Sequence, residues 1–402
     1  MSLPATPTPG VSSCPEPFAP KADPAALEDL RARLRATRWP DAPEDAGWSI
    51  GADLDYLREL VAYWADEFDW PAQEAALARL PRYRVRLGDY RIHYVHARAA
   101  APAGPALPLI LTHGWPDSFW RYTKVIPLLT NPAAHGADPA DAFDVIVPDI
   151  PGFGYSDRPA GPPPDAVAVA GLWAQLMTTL GYPRFAAAGG DIGGHVSRNL
   201  ALDHPDRVVA VHRTDAGAAA YAGDPADLAP DERAYLDRAA AWAAAEGAYI
   251  AMHRTKPQTP AFGLTDSPAG LAAWIVEKLR TWSDNDGDIE QSFTKDEILT
   301  NLTIYWLTAT IGSSMRMYRA NGQIPAAQHA RRVQAPSGFS LFAADISHPP
   351  RIWLERTANV VRYTQPPRGG HFPAFEEPEL YAQELRTFYR PYRNPTSPQP
   401  EH

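Results

Sequence analysis

The sequence lacks three features that would place it in a specialised class of protein. It has one cysteine, Cys14, among 402 residues, so no internal disulfide can form and a cysteine-based metal site is not expected. Its formal net charge is −10, which argues against a nucleic-acid-binding surface. No apolar run approaches the roughly 20 residues of a membrane span, and residues 1–20 lack the pattern of a signal peptide. We therefore expect a cytoplasmic protein without a membrane anchor.

What is present is the composition of a globular protein, with 45% hydrophobic and 21% charged residues. Residues 24–39 and 51–70 have helical spacing, and Pro40 and Pro71 are expected to end these two helices. Residues 83–98 alternate around Gly88-Asp89, which predicts a hairpin. Further along, apolar runs typical of buried parallel strands alternate with a helical pattern at 166–182; the runs are residues 108–113, 143–150, 185–190 and 208–215. This alternation predicts an α/β fold with a parallel sheet.

A long helical stretch interrupts that alternation. From about residue 217 to 330 the pattern is helical and contains no strand signal. Strand signals return at residues 336–345 and 359–365. A helical insertion within a parallel sheet predicts a core that is covered by a lid.

The segment "AAAGGDIGGHVSR", residues 186–198, has the frame of a nucleophile elbow with an unusual central residue. In the G-x-S-x-G elbow, a sharp strand-to-helix turn raises a nucleophilic serine above the sheet. Here the raised residue is Asp191. A carboxylate that attacks a saturated carbon forms an ordinary ester, so the substrate should carry its leaving group on such a carbon. The competing interpretation is that Asp191 only caps the helix that follows.

An elbow nucleophile needs a base and an orienting acid further along the chain. His371 lies in the glycine-rich segment "RGGHFPAFEE", and Asp345 follows the apolar run at 339–344. Asp345 would hold one imidazole nitrogen while the other takes a proton from water. Glu355 is the weaker candidate for the acid, because its helical context points it to solvent. The backbone amides of Trp115 and Ile192 are expected to form an oxyanion hole, and both residues to contact the substrate.

Five segments together resemble the epoxide hydrolases of the α/β-hydrolase fold, in the microsomal and juvenile-hormone branch: "HGWPDSF", "PDIPGFGYSD", "GGDIGG", "YWLTATIGSSMRMY" and "RGGHFPAFEEPEL". The resemblance extends from residue 16 to 392. It implies an α/β-hydrolase core with a mainly parallel sheet, a helical cap inserted after strand 6 and an N-terminal helical meander. It also implies Asp191 as nucleophile, His371 as base, Asp345 as acid, and Tyr249 and Tyr318 as cap tyrosines. Tyrosine, with a usual pKa of about 10, can protonate the alkoxide that leaves an opened epoxide.

The resemblance divides the chain into successive units. These are a disordered tail over 1–15, the meander over 16–82, the first part of the core over 83–216, the cap over 217–330, the second part of the core over 331–395 and a tail over 396–402. Three positions depart from the family pattern. Ile192 is often tryptophan, Asp345 is often glutamate and Asp117 is often glycine, so an aromatic wall is lost and the histidine must sit closer to its acid.

The expected reaction is hydrolysis of an apolar or aryl epoxide to a vicinal diol, in detoxification or in a biosynthetic step, with no cofactor and no metal. A homodimer is left open. One alternative is a haloalkane dehalogenase, which shares the aspartate elbow but would use a halide-binding Trp or Asn pair in place of the tyrosines. The other alternative is a non-catalytic binding protein on the same fold. Four tryptophans are expected mainly in the core of the lid, with one or two also facing substrate: Trp242, Trp274, Trp282 and Trp306.

Overall fold

A computed structural model describes residues 14–100, 104–215, 221 and 223–393. Residues 1–13 of the predicted N-terminal tail and all of the predicted C-terminal tail lie outside the described residues. The predicted boundary between core and cap, at 216–217, also lies outside them.

A single sheet forms the centre of the described structure. Its nine strands in the described residues are β1 (Glu16–Pro17), β2 (Arg82–Leu87), β3 (Tyr90–Ala97), β4 (Leu107–Thr112), β5 (Phe143–Pro148), β6 (Phe185–Gly189), β7 (Val208–Arg213), β8 (Val333–Ser340) and β9 (Ala358–Thr364). They are ordered β1-β2-β3-β5-β4-β6-β7-β8-β9. The first three pairings in this order are antiparallel and the other five are parallel. The predicted α/β class with a mainly parallel sheet is confirmed, as is the hairpin around Gly88-Asp89, which connects β2 to β3.

The topology leaves a crevice at one edge of the sheet. Strand β4 lies between β5 and β6, so the chain leaves β4 towards one side and later returns on the other. Loops that diverge in this way at the carboxyl ends of parallel strands create the usual ligand site of open α/β sheets. The loops that follow β8 and β9 begin at the same edge of the sheet. Residues that follow β4, β6, β8 and β9 are therefore brought together although they lie far apart in sequence.

Helices flank the sheet and fill the interval between β7 and β8. Three precede the hairpin, α1 (Pro24–Arg35), α2 (Leu54–Asp66) and α3 (Trp70–Ala78); three follow within the core, α4 (Val125–Thr130), α5 (Ala166–Thr179) and α6 (Ile192–Asp203). The insertion contains α7 (Pro230–Glu246), α8 (Ala248–Thr255), α9 (Gln258–Asp266), α10 (Pro268–Trp282), α11 (Lys295–Thr308), α12 (Ile311–Asn321) and α13 (Ala326–His329). The last are α14 (Arg351–Glu355), α15 (Pro373–Glu376) and α16 (Pro378–Tyr389). The insertion follows the sixth strand, as predicted, when the two-residue β1 is not counted; the domain boundaries stay predictions.

Two predicted helix ends were wrong. Helix α1 ends at Arg35, well before Pro40. Pro71 does not end a helix but lies in the first turn of α3, whose N-cap Asp69 accepts a hydrogen bond from the Ala72 amide over 3.1 Å. Proline is tolerated there because the first turn of a helix has no intrahelical partner for its missing N–H.

The N-terminal helices are attached to the cap by two polar contacts, one buried and one partly buried. The indole N–H of Trp64 on α2 donates to the Thr303 hydroxyl on α11 over 3.0 Å. The Tyr63 hydroxyl donates to Asp296 over 3.0 Å. These contacts hold α11 in place beside the site. Across the described part of the chain, no helix combines the length and the hydropathy that crossing a bilayer would require.

Candidate active site

The elbow holds Asp191 in a backbone conformation that only a constrained turn provides. Its φ is 53° and its ψ is −131°, between the end of β6 and the start of α6. Such a conformation costs a non-glycine residue on the order of 1–3 kcal/mol and is concentrated at functional sites. Asp191 occupies the N-cap position of α6, yet its side chain makes no capping hydrogen bond. The helix-capping interpretation is therefore wrong, and the carboxylate is left for another task.

Two glycines allow the elbow to approach the loop after β4. A Cβ atom on Gly114 would come within 2.3 Å of Asp191 Oδ1. A Cβ atom on Gly193 would come within 1.8 Å of the Thr112 carbonyl oxygen. Any side chain at either position would push the Asp191 carboxylate away from the amide beside it, so this close approach requires glycine at both positions.

The amides predicted for the oxyanion hole act on the Asp191 carboxylate. The Trp115 N–H donates to Asp191 Oδ1 over 2.9 Å. Burial alone would raise the pKa of Asp191, but His371 and the amides of Ile192 and Trp115 lower that pKa to about 2. The carboxylate is therefore ionised at any physiological pH, as a nucleophile must be.

His371 and Asp345 meet as the sequence predicts. His371 Nδ1 lies 2.8 Å from Asp345 Oδ1, and His371 Nε2 lies 3.5 Å from Asp191 Oδ2. Burial opposes a charge on the imidazole, but the two carboxylates outweigh it and raise the pKa of His371 to about 10. Asp345, although one methylene shorter than the glutamate often found there, thus contacts His371 directly. Glu355, in contrast, is paired with Arg351 over 2.7 Å on the exposed surface of α14.

The two cap tyrosines lie side by side within the cap. Tyr249 on α8 and Tyr318 on α12 have ring centroids 6.0 Å apart, and Trp115 stacks on Tyr249 at 5.4 Å. Burial raises the pKa of each tyrosine well above 10, and the negative charge of Asp191 adds to both shifts. Both hydroxyls are therefore neutral and able to donate. The two hydroxyls interact with each other, and the Tyr318 hydroxyl makes no other hydrogen bond within the described residues.

Trp282 is more than a core residue of the cap. Its carbonyl oxygen accepts the His371 amide N–H over 2.7 Å, and its ring lies 5.3 Å from the imidazole and 5.2 Å from the Tyr249 ring. Trp282 thus contacts both the predicted base and a cap tyrosine, and its contact with substrate stays a prediction. The Trp115 ring centroid lies 6.2 Å from that of Trp282, and the side chains of Trp115 and Ile192 are both buried. No group of three His, Cys, Asp or Glu side chains suited to a metal ion occurs in the described ranges.

Asp117, one of the departures from the family pattern, has a local function that the sequence analysis missed. Its carboxylate lies 2.6 Å from Arg121 Nε in a buried ion pair. Arg121 Nη2 donates in turn to the His371 carbonyl oxygen over 3.1 Å. The aspartate thereby orients the arginine that supports the histidine loop.

Glu376 is a second supporting residue that sequence reasoning missed. Its carboxyl oxygens accept the backbone N–H groups of Asp284 (2.8 Å), Gly370 (2.9 Å) and Phe372 (2.7 Å). Two of these amides flank His371 and the third belongs to the cap. The available signal was the glutamate that follows "RGGHFPAF" in the sequence, but only the folded chain shows which amides it reaches.

Replacing Glu376 with alanine is expected to destabilise the fold by roughly 2–4 kcal/mol, because the amides of the buried residues Gly370 and Phe372 lose their acceptor at about 1–3 kcal/mol each without full additivity. The exposed Asp284 amide can bind water instead. Urea unfolding would measure the loss. Glu377→Ala is the matched control, since that glutamate forms a salt bridge with Arg368, whose side chain is 69% exposed, and such pairs contribute at most about 1 kcal/mol. Equal stabilities of the two variants would contradict the assignment.

Comparisons with known proteins identify the family. A sequence profile described as epoxide hydrolase N terminus matches residues 15–122, and one described as alpha/beta hydrolase fold matches residues 108–245. Epoxide hydrolase 1 of Sus scrofa is 34% identical over 92% of this chain and 88% of its own length. The chain belongs to the epoxide hydrolase family. A Stigmatella aurantiaca protein named provisionally as an epoxide hydrolase is 41% identical, over 94% of this chain and 85% of its own. The crystal structure of juvenile hormone epoxide hydrolase from Bombyx mori superposes with a TM-score of 0.81 at 28% identity, covering 96% of both chains.

This epoxide hydrolase family member is a hydrolase with the α/β-hydrolase fold. The resemblance to epoxide hydrolases inferred from its motifs is confirmed, since proteins named epoxide hydrolase 1 and juvenile hormone epoxide hydrolase occur among its relatives.

Proposed function

We propose that the chain hydrolyses an epoxide to a vicinal diol through a covalent ester on Asp191. The observation that carries this proposal is the Asp191 carboxylate, which is ionised and does not cap helix α6. One of its oxygens is held by the Trp115 amide and the other lies 3.5 Å from the buried His371 imidazole. An ionised carboxylate with an orienting amide and no structural task is suited to attack a saturated carbon.

In the first half-reaction, an Asp191 oxygen attacks an oxirane carbon and the ring C–O bond breaks. The departing oxygen takes a proton from Tyr249 or Tyr318. Before the reaction the Asp191 charge raises the pKa of both hydroxyls. Ester formation removes that charge, so the tyrosines become stronger acids as the alkoxide needs its proton. The charged His371 then returns a proton to the tyrosinate.

In the second half-reaction, His371 is the general base. Its pKa is raised by two carboxylates, and esterification of Asp191 leaves only one of them charged. The pKa of His371 therefore falls, and the neutral imidazole can take a proton from water. The hydroxide attacks the ester carbonyl carbon, and the amides of Trp115 and Ile192 bind the oxyanion that forms. Collapse releases the diol and restores the Asp191 carboxylate and the charged His371.

The substrate expected from the sequence, an apolar or aryl epoxide, agrees with the aromatic residues around the tyrosines, and water is the second reactant. The dehalogenase alternative has one observation in its favour. The indole N–H groups of Trp115 and Trp282 lack partners within the described residues and could bind a halide. The two tyrosines have no task in halide displacement, and the relatives named above are epoxide hydrolases. A halide-release assay separates the two reactions. Homodimer formation and cytoplasmic location stay predictions.

A single turnover in ¹⁸O-water, with enzyme in excess, tests the covalent route. The oxygen added to the substrate should come from Asp191, so the first diol should carry mainly ordinary oxygen at its new hydroxyl. The label should appear in the peptide that contains Asp191, as measured by mass spectrometry. After several turnovers the diol should also become labelled.

If Asp191 instead acted only as a base towards water, the label would enter the diol in the first turnover and the protein would stay unlabelled. That pattern would overturn the covalent mechanism and leave epoxide hydrolysis intact.

A further inference from the structure

The wall of the site contributed mainly by the cap holds more hydrogen-bond donors than nearby acceptors. We define the aromatic cluster as Trp115, Tyr249, His253, Trp282 and Tyr318, whose neighbouring rings have centroids 4.9 to 6.2 Å apart. In the part of the chain that the structure describes, three buried ring nitrogens of this cluster have no hydrogen-bond partner. They are Trp115 Nε1, His253 Nδ1 and Trp282 Nε1.

His253 Nδ1 is one of these atoms, and the contact made by the other ring nitrogen shows that it carries a proton. The residue is 0% exposed, and its Nε2 accepts the indole N–H of Trp274 over 3.3 Å. Burial, aided by the nearby charge of Lys278, lowers the pKa of His253 to about 3, so the imidazole is neutral. A neutral imidazole whose Nε2 accepts a hydrogen bond carries its proton on Nδ1. His253 Nδ1 is therefore an N–H donor without an acceptor in the described residues.

His253 lies next to the two tyrosines that are proposed to protonate the oxirane oxygen. Its ring centroid lies 4.9 Å from that of Tyr318 and 5.4 Å from that of Tyr249. These tyrosines are assigned to the oxirane oxygen, so that oxygen is already engaged. A second atom of the same substrate, close to the oxirane ring, would be within reach of His253. A buried donor without an acceptor is unfavourable, and a substrate that supplies one gains the difference.

We propose that His253 Nδ1–H binds an acceptor oxygen beside the oxirane, so that the preferred substrates are epoxides with an adjacent ether or carbonyl oxygen. This inference rests on the proposed function and narrows its substrate class. The aromatic cluster still accommodates an aryl group beyond the acceptor. A site built around a hydrogen-bond donor rejects an analogue without the acceptor more strongly than an apolar pocket rejects a change of one methylene.

Three aryl epoxides of nearly equal shape test the proposal on the wild-type enzyme. They are phenyl glycidyl ether, its thioether analogue and 1,2-epoxy-4-phenylbutane. In these compounds oxygen, sulfur or CH₂, respectively, is bonded to the methylene group that carries the oxirane ring. The thioether controls for the electronic effect of a heteroatom, because sulfur is a weak acceptor. We expect kcat/KM, divided by the uncatalysed rate for each epoxide, to be at least about tenfold higher for the ether than for both analogues. Tenfold corresponds to about 1.4 kcal/mol.

Two variants connect that preference to His253. His253→Phe keeps a ring but removes the donor, so the ratio of ether to methylene substrate should fall towards one. His253→Gln restores an N–H donor and can still accept the Trp274 N–H, so the preference should return in large part. Thermal melting checks that each variant is folded, and the wild-type comparison decides the matter if His253→Phe is not.

The outcomes separate this inference from the function on which it rests. If none of the three epoxides forms an ester on Asp191, the proposed function fails and the inference fails with it. If all three form the ester and are hydrolysed with equal corrected efficiency, only the inference is overturned. A preference that persists unchanged in a folded His253→Phe variant would also overturn it, because the acceptor would then be bound elsewhere.

Discussion

Replacing His371 with glutamine is expected to stop turnover while an ester remains attached to Asp191. The two residues serve different half-reactions in the proposed mechanism, so loss of the base should spare alkylation and block hydrolysis. General-base help contributes about 10²–10⁴-fold, and ester breakdown should slow by at least that factor. Mass spectrometry of the variant mixed with an epoxide should show an adduct on the peptide that contains Asp191.

Two controls make this result specific. Asp191→Ala should form no adduct and have no activity, because the attacking oxygen is gone. His135→Gln changes an exposed histidine and should behave like the wild type. A folded His371→Gln variant that binds an epoxide without forming an adduct would remove the covalent mechanism.

Replacing both Tyr249 and Tyr318 with phenylalanine is expected to nearly stop ester formation. An alkoxide is a poor leaving group, and both hydroxyls are neutral, buried donors. Each single variant should slow alkylation, and the double variant should lose roughly 10²–10⁴-fold. The measurement is the burst of ester formed in the His371→Gln background, where the ester accumulates, and the breakdown of the ester should not be the affected step.

Tyr235→Phe provides the matched control in the cap. Tyr235 is also buried, but it contacts the Trp353 ring and Ser347 rather than the aromatic cluster. Its replacement should leave the burst unchanged. A double variant of Tyr249 and Tyr318 that alkylates at nearly the wild-type rate would refute their assignment as proton donors.

The parts of the site that could be predicted from the sequence are those with a local pattern. The elbow around Asp191 has glycines at fixed offsets, because an adjacent backbone approaches too closely for any side chain. Asp345 and His371 follow strands, and the ends of parallel strands meet at one edge of a sheet. The hairpin between β2 and β3 was predictable because its tight turn favours glycine, and Gly88 there adopts a positive φ of 55°.

Predictions failed where local signals have two meanings. Pro71 was expected to end a helix, but proline is equally suited to a first helical turn, and only the position of Asp69 as N-cap resolves the ambiguity. Asp191 shows the same ambiguity without an error: its residue type favours N-caps and it occupies that position, but its side chain does not cap, and only the competing capping interpretation was wrong. In both cases tertiary packing determined which of two local possibilities the chain adopts.

The sequence alone predicts the chemical class of this protein, because a carboxylate in a nucleophile elbow is suited to attack on saturated carbon. The tertiary structure determines how the groups are tuned. Burial and through-space charge set the protonation of Asp191 and His371, and these depend on distances between segments far apart in the chain. The supporting contacts of Asp117 and Glu376 and the unpartnered donor of His253 arise in the same way. No local pattern encodes them, since a hydrogen bond is made or missed according to where other segments of the chain place its partner.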